Sequence, residues 1–78
     1  MSLDDATALA LYRRVWPEDD DAGKDVYRDK YIAAEVREML AAPSDKAAFL
    51  VVEWWYNDES ILRRRVKRLR AIAARGGA

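Results

Sequence analysis

Four breaks cut this chain into stretches of helical length. Pro17, Gly23, Pro43 and the polar run at 57–60 leave only short uninterrupted segments between them. A proline keeps the residue before it out of helical geometry, and each intervening segment carries apolar residues at helical spacing. The expected fold is therefore all-α, a single small domain over 1–78 built as a bundle of four helices, at about 3–15, 24–41, 45–56 and 60–75.

Ser2 can cap the first helix, with Asp4 and Asp5 at the end where the helix dipole favours acids. Leu9, Tyr12 and Trp16 share one side of it, flanked by Ala8, Leu11 and Val15. The second helix carries two stripes: Ile32, Val36, Met39 and Leu40, then Tyr27, Tyr31 and Ala34. Two stripes imply more than one packed neighbour. Ser44 is a natural cap for the third helix. That helix is apolar nearly all round, broken by Asp45, Lys46 and Glu53, so it is expected at the centre of the bundle or against a partner. A strand competes for 49–56, since FLVVEWWY is rich in β-branched and aromatic residues. A lone strand would leave its backbone unpaired, which favours helix. Asn57 can end this helix in left-handed geometry. Asp58 or Ser60 can cap the last one, and Gly76 and Gly77 stop it.

A chain of 78 residues buries only about 60–65% of its unfolded surface. Disulfides cannot help, because there is no cysteine, and the absence of histidine as well excludes a Cys/His zinc site. Good helix packing or self-association must supply the stability. No run approaches the roughly 20 apolar residues of a membrane span, and the acidic N-terminus lacks the layout of a signal peptide. The expected setting is cytoplasmic.

The net charge of zero hides a division. Residues 1–59 hold all 14 acids against 7 Lys/Arg, a net of −7, and residues 60–78 hold the other 7 Lys/Arg and no acid. Such asymmetry points to a basic arm that meets an acidic surface: nucleic acid, another protein, or the chain's own acidic part. In the last helix Ile61, Leu62, Val66, Leu69, Ile72 and Ala73 fall on one side, and Arg63, Arg64, Lys67, Arg68, Arg70 and Arg75 on the other. Arg65 projects into the apolar side, so its head must snorkel or find a carboxylate.

The spacing ILRRRVKRLR resembles the recognition helix of helix-turn-helix regulators, with Leu62, Val66 and Leu69 as the apolar residues and basic residues filling the gaps. The resemblance covers about residues 47–70. Val52 and Tyr56 stand where that pattern has a small residue and a glycine. It implies that Arg63, Arg64 and Lys67 face duplex DNA and that Arg68, Arg70 and Arg75 touch its backbone.

Trp54, Trp55 and Tyr56 form the second constellation. Neighbours on a helix differ by about 100°, so one tryptophan can enter the core while the other needs a second neighbour or a partner. Both tryptophans and Tyr56 are candidate interface anchors. Stacking on single-stranded bases is a weaker alternative. The acidic loop EDDDAGKD can be laid on a calcium loop, but Ala22 then occupies a ligand position and Asp29 is short for the last one; no metal is expected. With neither His nor Cys, and no glycine-rich phosphate loop, catalysis has little to stand on.

The function expected from these features is non-enzymatic binding without a cofactor. The basic helix would dock on duplex DNA as part of a regulatory protein. The alternative is an adaptor or inhibitor, such as a phage or mobile-element accessory protein, steered to an acidic partner surface by its arginines. Membrane-surface binding ranks last. The Leu62, Val66, Leu69, Ala73 spacing also suits a seam with a second copy, and hence a homodimer.

Overall fold

A capping side chain opens each of the four α-helices, and these caps set the boundaries. The computed structural model describes residues 3–55 and 58–76. Helix α1 spans Asp5–Val15, α2 Val26–Ala41, α3 Asp45–Val52 and α4 Glu59–Ala74. Asp4 accepts from the Thr7 amide at 2.7 Å, Asp25 from the amides of Tyr27 and Arg28, Ser44 from Ala47 at 3.1 Å, and Asp58 from Ser60 and Ile61. Each cap satisfies amides that the helix itself leaves orphaned and is worth about 1 kcal/mol. The first helix thus starts later than expected, because Asp4 is its cap; Ser2 lies outside the described residues. The second also starts two residues later, behind Asp25.

Helix α1 stops where Pro17 requires. The Trp16 amide bonds the Tyr12 carbonyl at 2.8 Å, and the chain then leaves the helix. Gly23 supplies the left-handed turn at φ 92° that brings the acidic loop round to α2. Gly76, at φ 69°, closes α4 by donating to the Ala73 carbonyl.

The third segment is helical, not extended, but it does not run to 56 as an α-helix. It tightens after Val52 into a 3₁₀ turn over Glu53–Trp55. Among the described residues there is no strand. Tyr56 and Asn57 lie outside the described residues, and so does the expected helix ending at Asn57.

The bundle is organised around α2 and α4 rather than α3. Each of those two packs against all three other helices, whereas α3 packs chiefly on α2 and α4. The thinnest dimension is 17 Å, about two helix layers at the usual 8–10 Å spacing, so every helix keeps an outer face. The core draws on all four: Leu11, Val36, Met39, Val52, Leu62, Val66 and Leu69 are its largest fully buried side chains. Among the described residues no polar or charged residue is buried, so ion pairs sit at the rim. The second stripe of α2 is not a packing face. Tyr27, Tyr31 and Ala34 are exposed, and the 3₁₀ turn reaches that side only edge-on, at Tyr31. Leu62, Val66 and Leu69 are sealed inside a single chain and are not available as a seam between copies.

Candidate functional site

The seven basic residues of the C-terminal segment divide into three groups by what they touch. Arg65 and Arg70 leave the flanks of α4 and turn inward. Arg65 donates to the Val15 carbonyl at 3.1 Å, pairs with Glu18 and lies 5.8 Å from the Trp16 ring centroid. Arg70 donates to the carbonyls of Met39 at 2.6 Å and Ala42 at 2.9 Å, and to Asp45 at 2.8 Å. Val15, Met39 and Ala42 lie at the C-terminal ends of α1 and α2. There carbonyls lack helical partners and the macrodipole is negative. Both arginines therefore act as C-terminal caps supplied from another helix. Arg70, expected on the outward face, is committed to the fold.

Arg63 forms a second group by itself. It pairs with Glu59 one turn back at 2.7 Å and lies 4.3 Å above the Phe49 ring, joining α4 to α3. Arg64, Lys67, Arg68 and Arg75 form the third. All four are exposed, and none of their side chains has a hydrogen-bond or ion-pair partner among the described residues. At 100° per residue they occupy an arc of about 100°, over roughly 16 Å of helix axis. The acidic part of the chain thus neutralises the flanks of α4 through Glu18 and Asp45 and leaves its outer stripe bare.

Helix α3 reaches α4 through the 3₁₀ turn and residues 56–58, not directly through a three- or four-residue turn. The likeness to that motif gains no support from it.

The adjacent tryptophans take different roles, as a 3₁₀ turn with three residues per revolution requires. Trp55 turns inward, edge-on to Tyr12 and Trp16 at 5.9 and 5.6 Å between ring centroids. Trp54 remains 63% exposed and meets Tyr31 edge-on at 5.9 Å. With Tyr12 stacked on Trp16 at 5.0 Å, these rings and Arg28 line a cleft of about 320 Å³. Tyr56, the third expected anchor, lies outside the described residues.

One edge of this cleft is a polar network. Tyr12 Oη donates to Asp19, and Arg28 donates to the same carboxylate oxygen at 2.5 Å. Burial drives the Asp19 carboxyl upward, but the Arg28 and Tyr12 donors outweigh it and hold the group below its ordinary range. Burial, then the Asp19 bond, pushes the Tyr12 hydroxyl far up. The Tyr31 hydroxyl is also raised, by desolvation and then by the neighbouring Glu35 carboxylate. Asp19 and Arg28 were not singled out by sequence, and Tyr31 only as part of a packing stripe. Asp19 is one of several acids in a row, and only the loop geometry shows which of them turns inward. Among the described residues no group of three or more acidic side chains could hold a metal ion, and no helix is long and apolar enough to cross a membrane.

No known protein family, curated protein or solved structure matches this chain.

Proposed function

We propose that this chain is a non-enzymatic binding protein whose α4 lays its outer stripe on the phosphate backbone of duplex DNA. The observation that carries the reading is the sorting of the cations. Arg63, Arg65 and Arg70 are engaged within the chain, whereas Arg64, Lys67, Arg68 and Arg75 point outward with no acid opposite them among the described residues. A solvated helix face ordinarily mixes both signs. Four cations at this spacing suit backbone contacts, which position a protein without reading sequence. A cytosolic setting goes with this role.

The test is fluorescence anisotropy with a mixed-sequence duplex across several salt concentrations. Four phosphate contacts give a log–log slope of about −3 to −4, and each of Arg64→Gln and Lys67→Gln reduces its magnitude by about 0.9. No binding at low salt would overturn the reading.

A second reading is an adaptor whose stripe meets an acidic protein surface. It is favoured by Trp54 and Tyr31, large aromatic side chains left exposed beside the cleft, since aromatic residues are enriched at protein interfaces.

A further inference from the structure

We infer that the cleft between α1, α2 and the 3₁₀ turn is a binding site for a small aromatic carboxylate, a single planar ring system bearing an anionic oxygen group. Size and lining give the planar part. At about 320 Å³ the cleft sits at the lower end of the range for small-molecule sites. Its walls are the rings of Tyr12, Trp16, Tyr31, Trp54 and Trp55, held mostly edge to face at 5.6–6.2 Å. Aromatic groups prefer offset-stacked and edge-to-face contacts, so a planar ligand extends an arrangement already present.

The polar remainder gives the charge. Both oxygens of the Asp19 carboxylate are engaged within the chain: one takes Tyr12 Oη and Arg28, the other takes the Asp21 amide. The Tyr12 hydroxyl hydrogen is spent on Asp19. What is left is a donor. Arg28 lines the cleft with its side chain 39% exposed and is the charged side chain among the described residues of that lining. Three of the other wall residues are tryptophans, whose ring nitrogens can only donate. A cleft whose charged lining residue is a guanidinium suits an oxygen anion, since a guanidinium matches a carboxylate in plane and in charge. An ammonium-bearing aromatic would meet Arg28 as a like charge.

Three probes of one shape separate these possibilities: 2-naphthoate, 2-naphthalenemethanol and 2-naphthylmethylamine. They are titrated into the ¹⁵N-labelled chain, following the indole N–H resonances of the three tryptophans. The carboxylate is expected to bind about tenfold more tightly than the alcohol, the scale of one charge-assisted hydrogen bond, and the amine most weakly. Trp54→Ala, at an exposed position, is expected to keep the helical circular dichroism and weaken the naphthoate at least about fivefold. Arg64→Gln, on the outer stripe, is expected to leave it unchanged. Equal affinity for the three probes, preference for the amine, no shift of any indole resonance at millimolar probe, or full binding by Trp54→Ala would each overturn the assignment. None of these readouts depends on DNA, so the cleft and the α4 stripe stand or fall separately.

Discussion

Arg65 and Arg70, five residues apart on α4, reach in opposite directions to cap two different helices. Five residues are about 140° of helix, so the two side chains leave opposite flanks. One meets the Val15 carbonyl at the end of α1, the other the Met39 and Ala42 carbonyls at the end of α2. The basic helix is therefore fastened to the bundle by part of its own charge, and only the remainder is offered outward.

Arg70→Met keeps an apolar stem and removes three hydrogen bonds. The expected loss is about 2–3 kcal/mol, because a charged donor leaves and carbonyls lose their partner. That corresponds to a fall in Tm of roughly 8–24 °C for a domain of this size. Arg64→Met, on the exposed stripe, is expected to stay within about 0.5 kcal/mol. Thermal melts by circular dichroism check the contrast; equal melts for the two variants would reject the capping role.

Trp16 is 5% exposed and Trp54 63%, so iodide should quench only part of the native fluorescence. Trp54→Phe is expected to remove most of the quenchable emission and to leave a blue-shifted spectrum from Trp16 and Trp55. An unchanged Stern–Volmer slope in that variant would show that Trp54 is covered.

The Tyr12–Asp19–Arg28 network predicts losses of stability at both ends of the pH scale. Tyr12 ionises above its ordinary value of 10.0 when folded, so its contribution is complete below that value. It is lost as pH rises toward the folded value, because there the unfolded chain binds fewer protons. Asp19 ionises below its ordinary 3.8 when folded, so its contribution is present above 3.8 and is lost as pH falls through the lower, folded value. Tyr12→Phe is expected to flatten the alkaline limb of stability against pH, measured by urea unfolding, while near-ultraviolet tyrosinate absorbance loses one late-titrating group.

Leu69→Ala empties a fully buried position and is expected to cost about 2–5 kcal/mol. Leu50→Ala, at a side chain 52% exposed, is expected to cost much less. Because the α4 seam is internal, the Tm of the parent chain should not change with protein concentration. A Tm that rises with concentration would indicate that self-association contributes to stability.

The four helices were legible because breakers and caps are local signals. Pro17 and Ser44 act on their immediate neighbours, and Asp58 on the next turn. The core face of α4 was legible too, including the misfit of Arg65, because a strict helical period places each side chain by arithmetic. Arg70 was not legible. Its angle lies on the cationic side of a wheel, and only the position of the α2–α3 corner shows that carbonyls wait there. The same holds for Tyr31, whose stripe has the spacing of a packing face but which stays half exposed, met edge-on by Trp54. The cleft draws on three separate elements, and no spacing rule spans them.

The bond from Arg65 to the Val15 carbonyl joins residues fifty apart in sequence. Bringing distant segments together costs entropy that grows with the logarithm of the intervening length, while α1–α2 and α2–α3 are near neighbours along the chain. Helix α4 is therefore expected to dock late. Substitutions in its seam, such as Leu69→Ala, should then speed unfolding more than they slow folding, and stopped-flow kinetics showing the reverse would reject this order. On this order the exposed cationic stripe reaches its final setting only as the chain closes on itself.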